Sequence, residues 1–268
     1  MLRVARFAAK LHHLGFTVAE ETMQLMAKIA QSGELQHLTA ERVWQEWHKS
    51  LSAHHPEMFL QVLRDCGALA VVLPEIDRLF GVPQPEKWHP EIDTGIHTLM
   101  VAKQAAQLSD SLLVRFAAQV HDLGKGVTPS EWPRHKLHCH TGLNIIESLC
   151  ERIRVPNEFR DLALAVCAQH SNIHRADELK PTTKLKVLGL LDVWRKPERL
   201  EQVLLCCEAD HRGRLGLESE PYPQREIFLR AYQAALGVAV QAVIADGFQG
   251  KHIKEELDKR RVSAIEAL

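Results

Sequence analysis

Nowhere along this chain do apolar and polar residues alternate for long with a period of two. Apolar residues instead recur three and four apart, and prolines repeatedly stand at the start of such stretches. That pattern leaves little room for half-buried strands and predicts an all-α protein of many helices. Val4, Phe7, Ala8, Leu11 and Leu14 keep helical spacing until Gly15. Thr17-Val18-Ala19-Glu20 reads as a capping box that starts a second helix, ending near Gly33. Thr39 caps a third, carrying Val43, Trp44 and Trp47. Pro56 suits the first turn of a fourth, with Phe59, Leu60 and Leu63 inside.

Gly81-Val82-Pro83-Gln84-Pro85 is the best boundary candidate. Beyond it a helix carries His97, with Met100, Val101 and Ala105 on a helical face. Leu112 to Val120 reads as a buried helix, which Gly124 would end in a left-handed cap. Val127 to Pro133 reads as a loop, followed by a helix with His138, Ile145, Ile146 and Leu149. Pro156, Pro181, Pro197 and Pro223 open further helices, and the last follows Gly250. The stretch from Pro181 carries Leu185, Leu188, Leu191 and Asp192, and the one from Pro197 reaches Asp210. No tandem repeat or low-complexity tract is visible.

A net charge of −1 on 268 residues gives no global basic field, so a nucleic-acid partner would need local patches. The six cysteines form no C-x-x-C pair and lie mostly in apolar stretches, as in a reducing cytosol, so a cytoplasmic protein is expected. The N-terminus leads into an amphipathic helix and not a signal peptide. The longest uncharged run, Ala231 to Ala245, is short for a membrane span, and no membrane partner is expected. Lys251, Lys254, Lys259, Arg260 and Arg261 make a basic tail helix, most simply a solvated face.

Histidine is the outlier of the composition: eight of the sixteen fall between His89 and His174. Among them His121-Asp122-Leu123-Gly124-Lys125 sets an imidazole and a carboxylate side by side at the end of the buried helix. Alone, such a pair is more often a satisfied core histidine with a chance neighbour. His97 lies 24 residues earlier, far enough for one helix to finish and the next to return. Asp192 is an acid within an apolar helical stretch, and a buried carboxylate is costly unless paired or metal-bound. Two imidazoles and two carboxylates suit a borderline or hard divalent ion.

The order His, His-Asp, Asp resembles the HD superfamily of metal-dependent phosphohydrolases. His138-Cys139-His140-Thr141-Gly142 is similar to the H-x-x-x-G segment of many HD proteins, and Gln169-His170 stands where a further histidine often lies. The resemblance implies His97, His121, Asp122 and Asp192 as ligands of a divalent transition ion such as nickel, manganese or cobalt. Asp210 is the rival of Asp192 for the last place. His138 and His170 would hold a second ion or bind phosphate. The residues after His170 lack the paired histidines of many two-metal members, so one ion is expected. His135, His140 and His174 are expected in surface or supporting roles. Asp122 would also accept a proton from the attacking water. Lys125 would neutralise charge on a phosphate, or else be a solvent-exposed lysine in a helix-ending turn.

A longer resemblance runs through nearly the whole chain. Leu2 to Ala9, Gly15-Phe16-Thr17, Glu21-Thr22, and Ala40 to Val43 before Trp47 look like the neck of tRNA nucleotidyltransferases. Leu73-Pro74-Glu75-Ile76, Ala209 to Arg214 and Gly250 to Ile253 also fit, and the whole is close to the HD-containing CCA-adding enzymes of gamma-proteobacteria. The resemblance implies a helical neck and body over 1–80, an HD domain over 81–215 and a helical tail over 216–268. It also implies 2′,3′-cyclic phosphodiesterase, 2′-nucleotidase and phosphatase activity. The partners would be tRNA or RNA 3′ ends and 2′,3′-cyclic or 2′-phosphorylated nucleotides, for a monomer or homodimer. The Asp-x-Asp pair that would hold magnesium in a nucleotidyltransferase head is missing, so Met1 is expected near the head–neck junction of a longer protein. The competing expectation is a non-catalytic tRNA-binding body with a structural metal site. In it Arg3, Arg6, Lys10, Arg152, Arg154, Arg160 and the basic tail would meet phosphates.

Overall fold

The computed structural model describes residues 1–128, 135 and 137–268. Most of the loop expected from Val127 to Pro133 lies outside the described residues. Among those described, the chain is all α-helix and short 3-10 turns, and its strand-like pairing is one isolated bridge, Pro83 to Asp93. The helices are α1 (Leu2–Leu11), α2 (Glu20–Gln31), α3 (Ala40–Leu51), α4 (Glu57–Asp65), α5 (Leu69–Val72), α6 (Pro74–Asp77), α7 (Thr94–Leu108) and α8 (Leu112–Val120). They continue as α9 (His138–Arg152), α10 (Asn157–His174), α11 (Pro181–Leu190), α12 (Glu198–Arg212), α13 (Pro223–Leu236), α14 (Val240–Ala245) and α15 (Lys251–Glu266).

The proline starts hold at α11 and α13, where Pro181 and Pro223 are the first helical residues. The capping box does not: α2 begins at Glu20 with Ala19 as its cap and no side-chain cap bond. α7 has the side-chain cap that the sequence reading passed over, since Asp93 accepts from the Ile96 amide at 2.9 Å.

The chain forms two compact units, whose boundaries cut across the three stretches distinguished by sequence. Unit 1 holds Met1–Ala168 and Leu205–Glu220. Its centre is α8, buried from Val114 to Val120. Trp44, Trp47, Phe116 and Phe159 pack around it edge to face and tilted, with ring centroids 5.0–6.3 Å apart. Each such buried ring contributes about 1.5–3 kcal/mol through the water it no longer orders. Two polar contacts fix the register of α8 against α3. Trp47 Nε1 donates to Gln119 Oε1 at 2.9 Å, and the buried Arg115 guanidinium donates to the carbonyls of Leu51, Ala53, Ala106 and Ser109. The end of α8, and with it the His-Asp pair, is thus positioned by residues from the N-terminal helices.

Unit 2 holds Gln169–Leu204 and Pro221–Leu268. Ala231, Ala235 and Ile265 form its core with Leu185 and Trp194, and the Arg261 guanidinium lies 3.9 Å from the Trp194 ring centroid. Pro223–Ala245 has a mean hydropathy of 1.5 and, by length and composition, would suffice to cross a membrane. It is divided into α13 and α14, and Phe228, Ala231, Tyr232 and Ala235 are buried within the unit.

Candidate metal centre

α7 brings His97 into the middle of unit 1 with no exposed surface. Its Nδ1 donates to the Gly213 carbonyl at 3.1 Å and lies 3.0 Å from Glu91 Oε1. Those contacts fix the ring and aim Nε2 at Asp210 Oδ1, 3.0 Å away. His121, just past the end of α8, is held the same way: its Nδ1 donates to the Ala118 carbonyl at 2.8 Å. Its Nε2 lies 3.2 Å from Asp122 Oδ2 and 3.5 Å from Asp210 Oδ2. Two Nε2 atoms and the Asp210 carboxylate therefore meet at one buried point, with Asp122 against His121. The donors of His97, His121 and Asp210 lie within 4.8 Å of one another.

The charges respond to how closely the groups are gathered. Burial alone would keep His97 and His121 neutral, yet both are raised, His97 by Asp210 and Glu91 and His121 by Asp122 and Asp210 to about 10. Burial would raise the Asp122 carboxyl, but His121 and Lys125 hold it well below the usual range. A divalent cation suits the same place: N and O donors of His97, His121 and Asp210 gather there, with each ring turned by a bond to its other nitrogen, which is how metal-binding histidines are held.

Small residues make the approach possible. A Cβ on Gly213 would lie 2.5 Å from Val101 Cγ2, so the glycine lets the end of α12, with Asp210, reach α7. A Cβ on Gly124 would lie 2.0 Å from the His138 carbonyl oxygen, and one on Gly142 2.7 Å from Cys167 Sγ. Gly124 therefore does not form the expected left-handed cap. The chain continues as a 3-10 turn, Leu123–Val127, pressed against α9.

That contact sets His138 at the start of α9, its Nδ1 donating to the His135 carbonyl at 2.9 Å and its Nε2 3.4 Å from Asp122 Oδ1. Lys125 is buried, at 7% exposure, which removes the reading of a solvent-exposed turn lysine. Its Nζ lies 2.6 Å from Asp122 Oδ2 and donates to Gln84 Oε1 at 2.7 Å. His135 donates from Nε2 to the Pro83 carbonyl at 2.7 Å, a supporting role. His174 pairs with the Tyr222 hydroxyl, and His140 is exposed on α9. His170 is a buried residue of unit 2, near the end of α10.

Asp192 requires a correction. α11 stops at Leu190, and Asp192 sits in the turn beyond it with φ +57. Its partly exposed carboxylate takes three bonds from Arg195, at 2.7, 2.9 and 3.1 Å. It is an acid satisfied by its own turn, so the argument from an uncompensated buried charge fails. Asp210, the rival, takes the place beside His97 and His121. Of the basic set, Arg6 is bound to Glu46 and Arg152 grips Glu75 with two nitrogens. In the tail, Arg260 pairs with Asp246 and Glu256.

Sequence reasoning passed over Glu91, His89 and Gln84. His89 Nδ1 lies 2.9 Å from Glu91 Oε1, and Glu91 in turn orients His97. Burial would raise the Glu91 carboxyl, but the two histidines hold it far below its ordinary value. Ile92 beside it has φ +60, a costly conformation for a β-branched residue, and the turn that holds Glu91 inward sustains it. The available signal was the histidine and glutamate two apart in His89-Pro90-Glu91. The Gly81–Pro85 segment, expected to be a boundary, is wrapped into the centre through Gln84 and Pro83.

Residues 94–213 match the HD domain family. Residues 15–80 match the family described as "probable RNA and SrmB-binding site of polymerase A". A multifunctional CCA protein of Vibrio cholerae serotype O1 is 99% identical over 269 aligned positions, covering 100% of this chain and 67% of the relative. Those of Vibrio campbellii and Aliivibrio salmonicida are 75% and 66% identical, over 99% of this chain and 66% and 65% of their own lengths. The chain thus spans about two thirds of the length of these relatives. With a shared HD domain, a shared neck and a gathered set of histidines and aspartates, the chain belongs to the multifunctional CCA protein family.

Proposed function

We propose that the chain is a metal-dependent phosphohydrolase acting on 2′,3′-cyclic and 2′-phosphate ends of nucleotides or RNA, within a protein that builds and repairs the CCA end of tRNA. The convergence of His97 Nε2, His121 Nε2 and Asp210 on one buried point, with Asp122 Oδ2 3.2 Å from His121 Nε2, carries this reading. A divalent transition ion held by these four residues would lower the pKa of a water to roughly 7 and polarise a phosphoryl oxygen. Nickel, manganese and cobalt suit the mixed nitrogen and oxygen donors.

The protein groups supply orientation and charge. Glu91 and the Gly213 carbonyl hold His97, and the Ala118 carbonyl holds His121, each with Nε2 inward. Lys125 anchors Asp122 Oδ2 and brings a positive charge to where a phosphoryl group would gain negative charge. Asp122 Oδ1 is the proposed acceptor of the water proton. His138 faces the same oxygen and would meet the phosphate or a further ion, and the family resemblance gives His170 the same role. The neck, 1–80, and tail, 216–268, which precede and follow the HD region, 81–215, in sequence, are proposed as surfaces for tRNA, with the family match over 15–80 supporting RNA contact by the neck.

The test is turnover of 2′,3′-cyclic AMP by the purified chain after chelation and after readdition of nickel, cobalt, manganese or magnesium. Turnover that vanishes with chelator and returns with a transition ion supports the reading. A bound ion with no turnover of any cyclic or 2′-phosphate substrate would leave the site structural. Because no Asp-x-Asp pair is present, CTP and ATP are not expected to be incorporated into tRNA by this chain.

A further inference from the structure

We propose that the groove between α11 and α15 in unit 2 binds a nucleoside phosphate whose base carries an exocyclic amino group. The site shares no residue with the candidate metal centre and goes beyond the activity proposed for it. The groove has a volume of about 490 Å³, within the roughly 300–1,000 Å³ of small-molecule sites. Two helix faces form it. Leu185 and Lys186 stand one turn before Gly189 on α11, and Lys254, Asp258 and Val262 follow one another at every fourth residue of α15. Trp194 also lines the groove, its ring held by the Arg261 guanidinium at 3.9 Å and by Tyr232, with ring centroids 5.7 Å apart.

Three features of the lining select the ligand. Lys186 and Lys254 bring ammonium groups from the two walls, and neither is in an ion pair with a described residue. Like charges on facing walls call for an anion with several acceptor oxygens, which a phosphate supplies. Asp258 is partly buried beside them and makes no ion pair with a described residue, not even with Lys254 one turn away. A carboxylate only accepts, so it calls for an N–H donor. Cytosine presents an amino group where uracil presents a carbonyl, and adenine presents one too. Gly189 is the third feature. Its backbone is helical, and an added Cβ would meet nothing within 4 Å. Neither conformation nor packing requires glycine there, although glycine weakens a helix interior. It leaves the groove floor bare where a flat ring can lie between Leu185 and the indole.

Equilibrium dialysis of labelled CMP, AMP and UMP against the full chain, with chelator present, tests the proposal. Expected is saturable binding of CMP and AMP, with UMP weaker by about fivefold or more. Lys186→Ala and Lys254→Ala should each weaken CMP binding by about tenfold, the loss of one charge-assisted hydrogen bond. Asp258→Ala should bring CMP and UMP within about twofold of each other. Gly189→Leu should exclude every nucleotide while urea stability stays at or above wild type, which separates a filled groove from a damaged fold. Competition by a short cytidine oligonucleotide at concentrations roughly tenfold below those needed with CMP assigns the site to a nucleotide within RNA. Competition by CMP alone assigns it to the free nucleotide. Inorganic phosphate bound as tightly as CMP, equal affinity for CMP and UMP, CMP binding that survives Gly189→Leu, or no saturable binding at all overturns the proposal. Each of these results leaves metal-dependent turnover to be judged by its own assay.

Discussion

Asp210 and Asp192 look alike in sequence. Each stands at the end of an apolar helical stretch, with an arginine two or three residues on. In the structure they have little in common. Asp210 is 4% exposed and lies between two imidazoles within unit 1. Asp192 lies in a left-handed turn of unit 2 and is neutralised by Arg195, three residues away. The difference does not arise in the helices that carry them. It comes from what packs against each: Gly213 lets α7 close on Asp210 with His97, whereas the turn at Asp192 is answered by a side chain of the same turn. An acid's environment is set by its tertiary neighbours, and the apolar residues around it in sequence are weak witnesses.

The largest expected effect follows from that contrast. Asp210→Ala should lower metal affinity and metal-dependent turnover by more than about 100-fold, beyond the 10–100-fold typical of groups that only support a ligand. His97→Ala, His121→Ala and Asp122→Ala should match it, with helix content preserved. A calorimetric titration of the folded Asp210→Ala protein that gives wild-type affinity would return the last place to Asp192.

A second contrast separates two glycines. Gly124 has no room for a Cβ, whereas Gly189, in α11, has nothing within 4 Å. Gly124→Ala should destabilise by about 1–3 kcal/mol or more, because the 3-10 turn must retreat from α9. Gly189→Ala should stabilise by roughly 0.5–1 kcal/mol through helix propensity. Urea unfolding of both variants reads the two signs. Equal effects would mean that the close approach of the turn to α9 contributes nothing.

Much of this was legible beforehand, and the reasons divide cleanly. The helical period and proline starts gave the elements, since both are local properties. His97, His121 and Asp122 could be singled out because residue type and order carry the chemistry. The choice between Asp192 and Asp210 could not be read, because burial depends on α7 packing against Gly213. Glu91 and Gln84 were hidden in a segment whose prolines resemble a linker; its inward turn depends on Ile92 in a rare conformation and on the Asp93 cap. Gly124 was visible, but its reason is a steric contact with α9 that no local rule contains.

Glu91 tests the supporting layer of the Asp210 site. Glu91→Ala should weaken metal binding by about 10–100-fold, because His97 loses the partner that orients it. Glu91→Gln keeps an oxygen for the His97 Nδ1 proton and should recover most of that loss. If the Gln variant is as weak as the Ala variant, the negative charge matters more than the orientation.

The smallest expected effect is at Asp192. Asn accepts the left-handed conformation that φ +57 demands, so Asp192→Asn removes the charge and leaves the turn intact. Arg195 loses an ion pair on a partly exposed surface, where such pairs contribute little and salt screens them further. Metal affinity and turnover should therefore stay within about twofold of wild type, since losing a surface pair moves no ligand of unit 1. Melting in low and high salt separates the two ways this could fail. If the pair matters to its turn, the variant loses its salt dependence and melts slightly earlier, with metal binding untouched. If metal affinity falls as it does for Asp210→Ala, then Asp192 reaches the ion, and the contrast between the two acids drawn from their packing is wrong.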